Sequence, residues 1–160
     1  GQFTDLVNFG GTSLESAIGS QDLFVWMLEN DGSTQWVRHI KASENLTGAE
    51  VTTDLLDNLY FGLGISGNVE FQTGENEFES ATSCGGQNCP ILIQYTSNGD
   101  FGHYIQAQQT DNARFGELSF SKNTIFIDCV FSEGLHIIRD TSLQSQNGTK
   151  DAAIVAIELN

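Results

Sequence analysis

A pattern of alternating apolar residues occurs three times along this chain of 160 residues and restricts its fold more than any other feature. The three segments read "GQFTDLVNFGG", "LGISGNVEFQT" and "CVFSEGLHIIR". Because apolar and polar residues alternate in each, each predicts β-strand, and the recurrence predicts a repeat protein. Three sets of apolar positions correspond, the first spaced by 62 and then 66 residues: Phe3, Ile65 and Phe131; Val7, Val69 and Leu135; Phe9, Phe71 and Ile137.

The sequence downstream of each segment recurs as well. "DLFVWMLENDG" is matched by "CPILIQYTSNG" and, at the end of the sequence, by "DAAIVAIELN". Gly32 follows Asp and Gly99 follows Asn, which are the pairs that tight hairpin turns favour. Beyond the turns, Trp36 corresponds to Tyr104 when one residue is inserted. Two further strand-like stretches, "DNLYFGLG" and "NTIFIDCV", precede the second and third copies.

One unit therefore contains four short strands joined by turns, which predicts an all-β fold of β-propeller-like blades with four antiparallel strands each. The chain is one β-repeat domain, 1–160, with two to three partial repeats: copy one at 1–42, copy two at 50–110 and an incomplete copy three at 113–160. The alternative is an ordinary β-sandwich whose hairpins resemble one another by chance.

The pattern "G-x-F-x-x-x-V-x-F-G-G … D-x-F-V-x-x-L-x-x-x-G-x-x-x-W" resembles the bacterial β-propeller repeat of secreted and cell-surface proteins. The second copy departs from this pattern at Cys89, where the first has Asp22, and the small residue after the Tyr strand is replaced by Leu63 and, in the third copy, by Cys129. The matching residues of the first copy are Gly1, Phe3, Val7, Phe9, Gly10, Asp22, Phe24, Val25, Leu28, Gly32 and Trp36.

The resemblance implies an extracellular or cell-surface protein that serves binding, adhesion or assembly without catalysis. Its implied partners are a protein or glycan at the cell surface, and further blades or copies of the same chain. Two alternatives remain: a carbohydrate-binding or carbohydrate-active propeller, and a filament subunit that assembles by strand exchange. Two to three partial blades do not close a ring, so we expect this chain not to be a stable monomer.

The charge composition excludes two classes of partner. Six Lys and Arg against 21 Asp and Glu give a net charge of −15, which repels nucleic-acid phosphates and anionic lipid headgroups. No run of 18 apolar residues is present, so no membrane span is predicted. The opening residues lack the basic head and apolar centre of a signal peptide. The acidic surface favours solubility in extracellular conditions, with cation binding as the alternative.

The cysteines indicate an oxidising compartment. Cys84 and Cys89 flank "GGQN", a turn-forming stretch short enough to bring their sulfurs together, and we predict a disulfide. Zinc is the rival interpretation, but half of a zinc ligand set is missing nearby. Cys129 lies in the apolar run "TIFIDCVF" and is predicted to be a buried, unreactive thiol.

No motif for catalysis or for a cofactor is recognisable, and no metal site is predicted. The histidines His39, His103 and His136 lie in different strands. Calcium is conceivable at "ENDGS" and "TDLLDN", although turn formation explains both stretches. Acidic residues that would serve glycoside cleavage if two of them faced one cavity are Asp54, Asp57, Glu70, Glu77 and Glu79.

Aromatic residues are the better functional signal. Phe78, Phe101 and Phe115 lie beside polar turns and are predicted to be exposed platforms for a ligand. Trp26 is expected to pack between blades, and Trp36 and Tyr104 to be structural. Two glycosylation sequons begin at Asn45 and Asn147.

Overall fold

The computed structural model consists of β-strands joined by turns, with no helix among the residues that it describes. It follows that no helix in this part of the chain is long and apolar enough to cross a membrane. The described residues are 1–17, 20–44, 46–84, 88–137, 141–144 and 150–159.

Fifteen strands in these ranges form antiparallel sheets, and none of the sheets closes on itself. The first sheet has the order β1 (Gln2–Phe3), β4 (Asp22–Leu28), β5 (Thr34–Ala42), β8 (Asn68–Gly74) and β9 (Glu77–Thr82). The second has the order β11 (Phe101–Gln106), β10 (Cys89–Tyr95), β7 (Leu59–Ile65) and β6 (Leu46–Thr53). The third has the order β12 (Gln108–Ser121), β13 (Thr124–Ile137) and β14 (Thr141–Gln144), with β15 (Lys150–Glu158) also paired to β13. A separate hairpin is formed by β2 (Leu6–Phe9) and β3 (Thr12–Glu15).

The four strands of the predicted blade do not lie side by side in one sheet, and on this point the expected strand order is wrong. In the second copy β7 pairs directly with β10. β8, which follows β7 in sequence, pairs instead with β9 and with β5 of the first copy. The reason is burial: Val69 and Phe71 of β8 are fully buried, and Phe71 lies opposite Ile40 of β5. The Phe71 ring also contacts the rings of Phe101 and Tyr104.

The repeat itself is present, as a strand, a hairpin that leaves the sheet, and a strand that returns. This unit is β1, β2–β3, β4 in the first copy, and β7, β8–β9, β10 in the second. In the third, β13 pairs with β15 while the end of β13 pairs with β14. The returning strand has the same register in every copy. Phe3 lies opposite Asp22, and the residues aligned with these two form the same cross-strand pair in the other copies: Ile65 with Cys89, and Phe131 with Asp151.

A linking strand precedes the second and third copies and is also equivalent between them. β6 pairs with β7 so that Val51 lies opposite Phe61, and β12 pairs with β13 so that Leu118 lies opposite Ile127. Since β7 and β13 match with a shift of 66 residues, Val51 and Leu118 are equivalent positions.

The apolar face of each sheet packs against the next sheet. The centre of the core is formed by fully buried aliphatic residues, because every second residue of a strand points to the same face. They include Leu63, Ile65, Ile91, Ile93, Ile125 and Ile127.

Trp36 joins two copies, as its predicted structural role requires. It is 6% exposed, and its indole Nε1 donates a hydrogen bond of 2.9 Å to the carbonyl oxygen of Ser97. Arg38 lies beside it and donates from Nε to the carbonyl oxygen of Gly99 at 2.7 Å. Residues of β5 therefore hold the turn between β10 and β11.

Candidate functional site

The edge of β4 is paired over only part of its length. Gly1 exchanges two backbone hydrogen bonds of 2.9 Å with Phe24. From Val25 to Leu28, no strand of the described chain pairs with this edge. By contrast, the equivalent strand β10 is paired with β7 along its whole length, Cys89 to Tyr95. The unpaired stretch thus leaves backbone donors and acceptors available to another strand.

An apolar groove of about 300 Å³ wraps around this open edge. It is lined from both faces of β4, because Val25 and Trp26 are neighbours and point to opposite faces. Trp26 is 42% exposed and Val51 is 61% exposed, so the apolar surface is accessible. The remaining lining residues are Gly1, Leu23, Phe24, Ile40, Glu50, Leu59 and Phe61.

Trp26 is 42% exposed and contacts the hairpin of its own copy, so the expectation that it packs between blades is wrong. Its Nε1 donates to the hydroxyl of Thr34 at 3.1 Å, and its ring meets Phe9 edge-on with centroids 5.2 Å apart. These contacts hold the indole against the β2–β3 hairpin.

A second open edge belongs to β15. The equivalent strands of the other copies are each followed in their sheet by one more strand: β4 by β5, and β10 by β11. Within the described ranges, β15 pairs only with β13. Exposure alternates along it, and Ile154 is 77% exposed. An edge with which no described strand pairs is a template for pairing with another chain.

Asp22 and His39 form a buried pair that sequence reasoning missed. Asp22 Oδ2 lies 2.8 Å from His39 Nε2, and Asp22 Oδ1 accepts a 3.0 Å hydrogen bond from the Ala42 backbone N–H. The His39 ring packs near Phe3 and Phe78. Burial lowers the pKa of His39, and the hydrogen bond and charge of Asp22 oppose that shift. The groups satisfy each other and tie β4 to β5.

The only signal of this pair in the sequence is the exchange of Asp22 for Cys89 between copies. In the second copy Cys89 holds the Asp22 position, and its sulfur lies at disulfide distance, 2.04 Å, from the sulfur of Cys84. The predicted pair is therefore placed together, although loop residues 85–87 lie outside the described chain. The equivalent positions Asp22 and Cys89 thus each take part in a side-chain contact, a hydrogen-bonded pair in one copy and a cysteine pair at disulfide distance in the other.

Stability is expected to fall when the pH drops below about 6.5, the ordinary pKa of histidine. Because His39 has a lowered pKa in the folded state, the unfolded chain takes up the proton first, and unfolding is favoured as the pH falls. Chemical denaturation between about pH 7 and pH 5 measures this effect as a decrease in unfolding free energy. His39→Gln should show a smaller decrease over that interval. An identical pH dependence in the two proteins would contradict the assignment.

The three predicted aromatic platforms are not brought together. Phe115 is 5% exposed and contacts the core over Gly62, so the expectation that it is exposed is wrong. Phe101 is half-buried against Phe71 and Tyr95. Phe78 is half-buried, and the ammonium of Lys41 lies 3.8 Å from its ring centroid. A ligand role for Phe78 and Phe101 stays a prediction.

The acidic stretches act as turns. Asp54 Oδ1 accepts hydrogen bonds from the backbone N–H groups of Leu56 and Asn58, and Asp31 Oδ1 accepts from the backbone N–H and hydroxyl of Ser33. The hydrogen bonds from Ser33 lower the pKa of Asp31. Burial raises the pKa of Asp54, but the hydrogen bonds from the Asn58 side chain and from the two backbone N–H groups outweigh it and lower that pKa. Glu70 Oε2 lies 3.9 Å from Lys41 Nζ. Within the described ranges, no three His, Cys, Asp or Glu side chains are grouped as metal ligands.

The other singled-out residues have simpler surroundings. Cys129 is fully buried, as predicted, and burial together with the Asp128 carboxylate raises the pKa of its thiol to about 12. His103 is exposed. The side chain of His136 and the sequon residues Asn45 and Asn147 lie outside the described part of the chain.

A second, polar cavity of about 390 Å³ lies at the start of β4. Among the described residues, none forms a hydrogen bond with the hydroxyl of Ser16, a residue that is 5% exposed. A cavity this polar has room for water molecules, which supply such partners in proteins. It is lined by Glu15, Ser16, Ala17, Ser20, Asp22, Lys41 and Ala42.

Comparison with known proteins gives no match. No family model matches the sequence, and neither a curated protein nor a solved structure shows significant similarity to it. The resemblance to a propeller repeat therefore rests on sequence motifs, and function is argued from the sites described above.

Proposed function

We propose that this chain is a segment of an extracellular or cell-surface β-repeat protein, and that it serves binding, adhesion or assembly without catalysis. Strand addition at its open sheet edges is the means. The observation that carries the proposal concerns the described ranges: there β4 is paired over only part of one edge and β15 is paired with β13 alone, whereas the equivalent strand β10 is paired on both sides. Strand addition of this kind is a common mode of protein recognition.

Two features support the extracellular location. The sulfurs of Cys84 and Cys89 lie at disulfide distance, which suits an oxidising compartment. The net charge of −15 suits solubility in extracellular conditions. Buried groups of catalytic type, Asp22 and His39, are engaged with each other and with β5, which favours a structural role over catalysis.

Light scattering tests the assembly role. We expect the chain to have a mass above its 17.4 kDa monomer, rising with concentration. Ile154→Lys should reduce assembly, because a lysine on an edge strand opposes pairing. Leu55→Lys is the matched control: Leu55 is 84% exposed but lies in a turn, so this variant should assemble like the parent. A compact monomer that unfolds cooperatively at every concentration would contradict the proposal.

Carbohydrate binding is the second candidate, favoured by one observation. The half-exposed indole of Trp26 lines a groove that also contains the Glu50 side chain, and a sugar ring stacks on such an aromatic face while a carboxylate accepts its hydroxyls. Titration with oligosaccharides should then change the tryptophan fluorescence, and Trp26→Ala should abolish the change. No response across a glycan panel would remove this candidate.

A further inference from the structure

We infer that the polar cavity at the start of β4 binds a small neutral molecule with several hydroxyl groups, a sugar or a polyol. The cavity of about 390 Å³ lies between residues at the end of β3, the start of β4 and the end of β5. This volume is within the range of about 300–1,000 Å³ that small-molecule sites have. The inference goes beyond the proposed function, because neither the unpaired stretch of β4 nor β15 lines the cavity.

The position of the cavity does not depend on where the sequence begins. β1 runs antiparallel to β4, with Phe3 opposite Asp22 and Gln2 opposite Leu23. A strand that continued before Gly1 would therefore run along β4 toward its far end, away from Asp22. The residues that line the cavity all fall between positions 15 and 42.

Two buried polar side chains line the cavity and have bonding capacity left. Ser16 is 5% exposed, and no described residue bonds its hydroxyl. Asp22 is 2% exposed, and each of its carboxylate oxygens has one partner, the Ala42 N–H for Oδ1 and His39 Nε2 for Oδ2. A carboxylate oxygen accepts two hydrogen bonds, and a serine hydroxyl both donates and accepts. Because an unpaired buried hydroxyl costs free energy, a ligand that bonds Ser16 is favoured here.

Ser16 is held in place without the use of its hydroxyl. Its backbone N–H donates to the carbonyl oxygen of Asp5 at 3.0 Å. Close by, the backbone N–H and the hydroxyl of Ser20 both donate to the carbonyl oxygen of Ala17 at 2.9 Å. Groups that are positioned before a ligand arrives lower the entropy cost of binding.

The charges around the cavity favour a neutral ligand. The carboxylates of Glu15 and Asp22 repel an anion, and the ammonium of Lys41 opposes a metal ion. An ammonium has three donors, so the 3.9 Å contact between Lys41 Nζ and Glu70 Oε2 leaves donors for a ligand. A hydroxyl donates to a carboxylate and accepts from an ammonium or a serine, so a molecule with several hydroxyls satisfies both kinds of group at once.

The exposure of the lining residues provides a way in. Glu15 and Ala17 are exposed, whereas Ser16, Asp22 and Ala42 are buried. A ligand that enters beside the exposed pair therefore reaches buried polar groups inside.

Titration of the isotope-labelled chain with D-glucose, D-galactose, D-mannose and glycerol tests the inference. We expect saturable shifts of the amide signals of Ser16 and Ala42 with at least one of these probes at millimolar concentration. Ser16→Ala should weaken that binding about three- to tenfold, because it removes a hydrogen bond to the ligand. Ser13→Ala is the matched control: Ser13 is exposed on the same hairpin and bonds Asn8, so this variant should bind like the parent.

A second variant and a stability measurement separate loss of binding from loss of folding. Ser16→Ala removes a hydroxyl that no described residue bonds, so the thermal unfolding midpoint should not fall. Lys41→Met keeps the apolar stem of the side chain but removes the ammonium, and it should weaken binding as well.

No saturable shift with any of the hydroxyl-bearing probes, or shifts that Ser16→Ala leaves unchanged, would overturn the inference. Shifts that appear only with calcium chloride or sodium phosphate would also overturn it. Trp26→Ala should leave the binding intact, whereas its loss in this variant would place the sugar in the groove at β4 instead. Light scattering separates a failure here from that of the proposed function, because assembly through the strand edges does not involve the cavity.

Discussion

Replacing Gly99 with alanine is expected to lower the unfolding free energy by about 2–5 kcal/mol. Gly99 has a φ of +81°, a left-handed conformation that costs an alanine about 1–2 kcal/mol. Its added Cβ would also lie 2.7 Å from the Trp36 indole and 2.9 Å from an Arg38 nitrogen. Both groups are held by hydrogen bonds to the same turn, so they do not move aside freely. Urea denaturation measures the loss.

Gly32→Ala is the matched control for this variant. Gly32 holds the equivalent turn position of the first copy with a φ of +85°, but an added Cβ would meet nothing within 4 Å. It should lose only the conformational part, about 1–2 kcal/mol. Equal losses of unfolding free energy in the two variants would show that Trp36 does not pack tightly against the Gly99 turn. They would also contradict the conclusion that β5 holds this turn of the second copy.

Removing the carboxylate of Asp22 is expected to cost a similar amount. Asp22→Ala leaves the buried His39 ring and the Ala42 N–H without their acceptor, at a cost of about 2–5 kcal/mol. Asp22→Asn retains one oxygen that can accept from Ala42 and should lose clearly less. Thermal and chemical unfolding of both variants measure the difference. An Ala variant as stable as the parent, or an Asn variant as unstable as the Ala variant, would contradict the role assigned to this pair.

The repeat was predictable to the level of single residues. Alternation and spacing align Phe3 with Ile65 and Phe131, and the structure places all three opposite aligned partners on the returning strand. Such registers follow from sequence because one misplaced residue would turn every apolar side chain of a strand toward solvent.

The sheet to which β8 belongs was not predictable from the same pattern. Alternation identifies β8 as a strand with one buried face, but it does not specify which strand pairs with the edge of β8. The choice depends on Phe71 meeting Phe101 and Tyr104, residues 30 or more positions away in sequence. Phe115 was predicted to be exposed because its neighbours in sequence are polar. In the structure β12 crosses β7, and Phe115 is buried over Gly62.

The buried Asp22–His39 pair shows the limit of reading side chains one at a time. Asp22 and His39 are 17 residues apart and each looks like a surface residue in sequence. Only the register of β4 and β5 brings them together. The equivalent residue of the second copy, Cys89, is also engaged with another residue, since its sulfur lies at disulfide distance from Cys84.

Cross-strand contacts between α-protons, measured by nuclear magnetic resonance, test most directly the central claim that the copies share one strand–hairpin–strand unit. Contacts are expected in the same register in each copy, between Gln2 and Leu23, between Gly64 and Pro90, and between Val130 and Ala152. Contacts that place β8 between β7 and β10 would instead show a blade of four consecutive strands. That result would contradict the account.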